Sequence, residues 1–167
     1  MFTSLQAFLQ CWETESESTL KILNALSDDS LKQAVSEDDR TLGRIAWHIT
    51  ATIPEMIAKT GLSMQSIDEE APVPSKASTI ADSYQAISQT LREEVKKQWT
   101  DQTLLEKRDM YGESWTIGTT LTVLIHHQIH HRGQMTVLMR QAGLKVPGIM
   151  GPSREEWGQF GMEPPAL

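Results

Sequence analysis

Apolar residues recur at three- and four-residue spacing in four stretches of the chain, and each stretch reads as an amphipathic helix. The first runs from about Leu5 to Leu26, where Leu5, Phe8, Leu9, Trp12, Thr19, Leu20, Leu23 and Leu26 form a broken stripe. SDDS and the polar residues after it form the exit. The second begins near Asp39 and carries Leu42, Ile45, Ala46, Ile49, Ile53, Met56 and Ile57 on one face. Pro54 falls inside that pattern, so one ladder bond is expected to be missing and the helix to bend after His48. Gly61 is the expected stop.

Residues 62–77 show no sustained periodicity, and Pro72 and Pro74 mark them as a crossover. The third helix starts at Ser78 or Thr79, either of which can cap it, and continues through Ile80, Tyr84, Ile87, Leu91 and Val95. Residues 101–118 form a second irregular connection, with room for one short turn or hairpin. The last helix starts around Gly118–Thr120, runs to about Gln141 and stops at Gly143. The tail from Lys145 reads as loop, with one short turn at SREEW, where Ser153 precedes Glu156 by three residues.

No alternating segment identifies a sheet. Four amphipathic helices in 167 residues predict an all-α fold, a four-helix bundle with two long crossover connections, as a single domain over residues 1–167. The interruptions argue against a coiled-coil rod, and the chain has no internal repeat. Cys11 is the only cysteine, which excludes an intramolecular disulfide and a thiolate-rich metal site, and fits a reducing, cytoplasmic compartment. The start MFTSLQAFLQCWETESES has no basic segment followed by a long apolar run, so no signal peptide is expected. No uninterrupted apolar stretch is long enough for a membrane span. Fifteen basic against twenty-two acidic residues give a net charge of −7 and disfavour a nucleic-acid partner. The cluster Arg92–Lys97 is interrupted by Glu93, Glu94 and Val95 and reads as a solvated helix face.

The densest chemistry lies in LIHHQIHHRGQ, Leu124–Gln134, with two histidine pairs at i,i+4 spacing: His126/His130 and His127/His131. That spacing brings two imidazoles onto one helical face, where both nitrogens can reach one metal ion. Only one pair can face inward. Leu121, Leu124, Ile125, Gln128, Met135 and Met139 define the inner stripe. At about 100° per residue, His131 falls inside its edge and His127 at its border. His126 and His130 fall on the far side and read as solvated. His48, in RIAWHIT, is the only other histidine; it flanks the Ile45/Ile49 stripe and can approach from a facing helix. A site of His48, His127 and His131 is the kind of interhelical arrangement that holds metals in bundles. Three neutral imidazoles with open positions suit zinc, nickel or iron. The competing reading makes all three core-edge histidines satisfied by hydrogen bonds. Gln128 stands where a zincin has glutamate, which argues against peptide hydrolysis.

HHQIHHRGQMTVLMRQAG resembles the DinB-like (DinB/YfiT) family, whose last bundle helix carries an H-x-x-x-H-R-G-Q pattern matched by His127, His131, Arg132, Gly133 and Gln134. The family's other metal-ligating histidine matches His48 in its L-x-x-I-A-W-H context. The resemblance covers most of the chain. It implies an up-down-down-up bundle, a homodimer, and a divalent metal on three histidines. It further implies, for some relatives, transfer reactions that use low-molecular-weight thiols such as bacillithiol or mycothiol on a small electrophilic substrate. A hydrolase acting on a small molecule fits the residues equally well, and a non-catalytic metal-binding stress-response bundle is the third reading.

The surrounding residues have candidate roles of their own. Gln134 lies on the side of His127 and His131 and can bond a metal ligand or metal-bound water. Arg132 either forms a structural salt bridge or holds a substrate carboxylate, with the salt bridge favoured. Gly133 is expected to let another helix or a loop approach closely. Trp47 and Trp115 can wall a pocket or belong to the core, and Asp39, Glu55 and Glu113 are possible acid–base residues. Cys11, without a histidine partner evident in sequence, is not the expected nucleophile.

Overall fold

The computed structural model describes residues 1–68 and 70–166. Among them are four α-helices, α1 (Leu5–Leu23), α2 (Leu42–Ala58), α3 (Ala77–Gln98) and α4 (Ile117–Gln141), and a two-stranded hairpin, β1 (Lys107–Met110) and β2 (Glu113–Thr116). Three helices are capped by their own preceding residue. Ser4 accepts from the Ala7 amide, Thr41 from Arg44 and Thr116 from Thr119.

The third helix departs from expectation. It starts at Ala77, before Ser78 and Thr79, and the side chain of Lys76 at its N-cap makes no capping bond to the helix. The cap comes from elsewhere: the Asp28 carboxylate accepts from the Ala77 amide at 2.9 Å and from Lys76 Nζ at 2.8 Å. Asp28 lies in SDDS, which is ordered rather than a plain exit. Ser27 and Ser30 cap each other reciprocally around a 3-10 turn, Asp28–Lys32. The first helix therefore stops at Leu23, and tighter bonds from the Ala25 and Leu26 amides close its end.

The order of contacts defines the topology. α1 and α2 each pack against α3 and α4. The start of α1 meets the start of α4 through the Phe2 amide and Gly118 carbonyl, and it meets the end of α3 through the Leu5 amide and Asp101. Asp28, after α1, sits at the start of α3, while Leu42 at the start of α2 bonds Gln33 in the same connection. Thr60, after α2, meets Arg108 just before α4. The helices thus run up, down, down and up, as expected.

The core is filled by Phe8, Trp12, Ile22 and Leu23 of α1, Ile45, Ile49, Ile53 and Ile57 of α2, Ile80, Tyr84, Leu91 and Val95 of α3, and the expected α4 stripe from Leu121 to Met139. Pro54 is buried within α2, which continues past it to Ala58; Gly61, at φ 92°, follows as the expected stop. Residues 101–118 contain the hairpin that the sequence left as one option. Tyr111 and Gly112 both have positive φ, 59° and 86°, the backbone of a tight two-residue hairpin turn. Arg108 Nε donates to the Thr60 carbonyl at 3.0 Å and ties the hairpin to the end of α2.

Candidate metal centre

The inner face of α4 meets α2 where a buried glutamine locks the two helices in register. Gln128 Nε2 donates to the Ile49 carbonyl at 2.9 Å, and its Oε1 accepts from the Tyr84 hydroxyl at 3.0 Å. Ile49 adjoins His48 and Gln128 adjoins His127, so this link brings the two imidazoles together, ring edge to ring face, with centroids 5.0 Å apart. His48 Nε2 and His127 Nε2 stand 3.1 Å apart, and His131 Nε2 lies 3.2 Å from His127 Nε2. The three donor atoms fall within 4.8 Å of one another, and all three residues are half-buried. His126 and His130 are exposed; the His130 ring rests edge-on against His131 at 4.9 Å but contributes nothing to the cluster.

The donor set fits a divalent ion. His131 Nδ1 pairs with Gln134 Oε1 at 2.7 Å; because that oxygen only accepts, Nδ1 carries the proton and the Nε2 lone pair points inward. At metal–nitrogen bonds of about 2.0–2.1 Å, neighbouring ligand nitrogens stand about 3.0–3.4 Å apart, which brackets both spacings seen here. Without an ion, the single proton available to His127 Nε2 faces two other nitrogens. His127 Nδ1 is buried and has no hydrogen-bond partner among the described residues. Burial is the main cause that pushes the His127 pKa from its ordinary 6.5 down to about 4, with the charges of His131, His48, His130 and Arg40 adding to it. Burial also lowers His131, opposed by its bond to Gln134. Both shifts favour the neutral, metal-ready ring.

A cavity of about 390 Å³ adjoins the cluster at His131. His131 and Gln134 line it from α4 and Ile45 from α2, while Val35, Asp39 and Arg40 come from the connection before α2. Val35 and Arg40 escaped the sequence reading: Val35 lies outside any periodic segment, and Arg40 falls in the first turn expected of the second helix but precedes α2, which starts at Leu42 and not near Asp39.

The other candidates resolve as follows. Gln134 contacts His131, as anticipated. Arg132 is buried and donates to the Glu15 carboxylate at 2.6 Å and to the Glu15 carbonyl, so it forms the structural pair. Gly133 is exposed and nothing lies within 4 Å of a Cβ built there, so no described element of the chain makes the close approach expected of it. Trp47 and Trp115 do not line the cavity beside the histidines; their indoles donate to the Asp68 carbonyl and the Glu113 carboxylate. Glu113 is thereby engaged, and Glu55 accepts from the Tyr111 hydroxyl. Of the three carboxylates named in the sequence, Asp39 lines the cavity. Burial, then Glu15, raises the Cys11 thiol pKa, which agrees with an unreactive cysteine.

Comparison with known proteins supports the fold. The family model described as DinB family matches residues 1–164. A Bacillus subtilis (strain 168) protein, uncharacterized protein YrdA, is 51% identical over 167 residues, all of both chains. A crystal structure of a DinB-like protein from Bacillus cereus ATCC 10987 is similar with a TM-score of 0.86 and 45% identity, covering 89% of this chain and 99% of that one. YfiT from Bacillus subtilis, described as a probable metal-dependent hydrolase with an unusual four-helix bundle topology, is similar in fold with a TM-score of 0.67. It is 17% identical, and the likeness covers 84% of this chain and 89% of that one.

Proposed function

The chain belongs to the DinB family, and from that premise we propose a metal-dependent transferase in which His48, His127 and His131 hold a divalent ion beside a small-molecule cavity. The substrates of this reading are a low-molecular-weight thiol and a small electrophile. The observation that carries it is the convergence of three Nε2 atoms beside an open, largely apolar cavity. An ion held there lowers the pKa of a thiol or water next to it and so supplies a nucleophile at neutral pH.

The chain's own residues do the rest. Gln134 fixes the His131 tautomer, Gln128 holds α2 against α4, and Ile45 and Leu138 give the cavity apolar walls. Gln128 is consumed by these bonds and is neutral, so it does not act as a base. A homodimer belongs to the same reading, and the mass in solution would be twice 18.8 kDa.

Hydrolysis of a small molecule is the second reading, favoured by the description of YfiT. It draws on the same histidines, with Asp39 at the cavity as the available carboxylate. A screen of the zinc-, nickel- and iron-reconstituted protein distinguishes the two. Small thiols are paired with electrophiles, beside a panel of ester, amide and lactone substrates. Product that forms only with thiol supports transfer; thiol-independent product supports hydrolysis. Turnover unchanged in His127→Ala would sink both.

A further inference from the structure

We propose that Arg40 anchors an anionic group of the substrate, so that the cavity beside the histidines takes a small carboxylate with a compact apolar body. The inference rests on the metal-site reading and adds the substrate class to it. Val35, Ile45, Val137 and Leu138 give the cavity apolar walls, and His131 gives it a face toward the triad. Its volume of about 390 Å³ suits a small ligand rather than a peptide. Arg40 brings the cationic side chain to this lining.

Its guanidinium is exposed, and among the described residues no carboxylate forms an ion pair with it. Asp39, the adjacent acidic residue on the same cavity, accepts instead from the Ser36 hydroxyl at 2.7 Å. A planar guanidinium facing an apolar hollow recognises a carboxylate through two parallel hydrogen bonds, and the apolar walls reject a strongly hydrated body. An anion held there also lies beside the triad, with its apolar part against Val137 and Leu138.

The test is calorimetric titration of the zinc-loaded full chain with 4-methylpentanoate and with its neutral isostere, 4-methylpentanamide. The carboxylate is expected to bind at least about tenfold more tightly, the lower range of a charge-assisted pair. Arg40→Gln should abolish that preference and Arg40→Lys should retain part of it. Zinc content, measured on the same samples, should be unchanged in both variants. Equal affinity for the two probes, or no saturable binding of either, overturns the proposal. A carboxylate preference that survives in Arg40→Gln also overturns it, because the zinc ion then holds the anion. Absence of zinc from the wild-type protein would instead count against the metal-site reading, a result independent of the Arg40 contrast.

Discussion

To hold an ion, each imidazole of the proposed triad would have to present a lone pair inward, and for His131 the residue behind the ring fixes this. That residue is Gln134, whose Oε1 accepts from His131 Nδ1 at 2.7 Å. Gln134→Leu keeps the approximate volume and removes the acceptor, and it should weaken zinc affinity by about 10–100-fold in competition with a chromophoric chelator. His48→Ala, His127→Ala and His131→Ala should each sharply lower the bound metal, whereas His126→Ala and His130→Ala should leave it near wild type. Elemental analysis reads this directly, and unchanged content in all three inner variants would contradict the site.

His127 adds a pH dependence. Its folded pKa is about 4 against an ordinary 6.5, so between those values the unfolded chain binds more protons than the folded one. The stability it contributes to the metal-free protein is complete above about pH 6.5 and is lost as pH falls toward 4. Thermal melts of the metal-free protein should show Tm falling through that window, and His127→Gln should flatten the fall. Identical slopes in the two proteins would remove His127 as the cause.

At the scale of the helix, two glycines of α4 behave in opposite ways. A Cβ at Gly118 would overlap the Phe2 carbonyl oxygen and crowd that of Leu104, both backbone atoms that cannot swing aside. Gly118→Ala should therefore cost about 1–3 kcal/mol by overpacking. Gly133, mid-helix and open on all sides, should gain about 0.5–1 kcal/mol as Ala. Urea unfolding measures both. A loss at Gly133 accompanied by dissociation in sedimentation would place a second copy of the chain against it.

The helices themselves were legible because their burial follows a 3.6-residue period, and rotation on α4 separated His127 and His131 from the outer pair. The α3 cap was not legible, because Asp28 reaches Ala77 from 49 residues away. The hairpin gave only a faint signal, since Lys107–Met110 is too charged to alternate and its turn is Tyr-Gly rather than Asn-Gly. Arg40 reads from the sequence as part of the second helix, which in fact begins at Leu42; as a loop residue it gains its meaning from what folds beside it.

Across the whole molecule, a layer of buried polar contacts ties all four helices together at the level of the triad. Arg132 joins α4 to α1 through Glu15, and Gln128 joins α4 to α3 and α2 through Tyr84 and Ile49. The Arg132 and Glu15 side chains are only 5% and 9% exposed, so removing one partner strands the other in a poorly solvated site. Arg132→Met should cost about 3–5 kcal/mol, while the pair Glu15→Leu with Arg132→Met should recover most of that loss. The metal provides an independent readout. The ion pair holds α1, which carries none of the three histidines, whereas Gln128 holds the helices that do. The double variant should therefore bind zinc nearly as well as wild type once folded. Gln128→Leu should bind it more weakly even though its side chain makes no contact with the three Nε2 atoms. If the double variant loses zinc while Gln128→Leu keeps it, the register of the triad is set by α1, and the division of labour argued here is reversed.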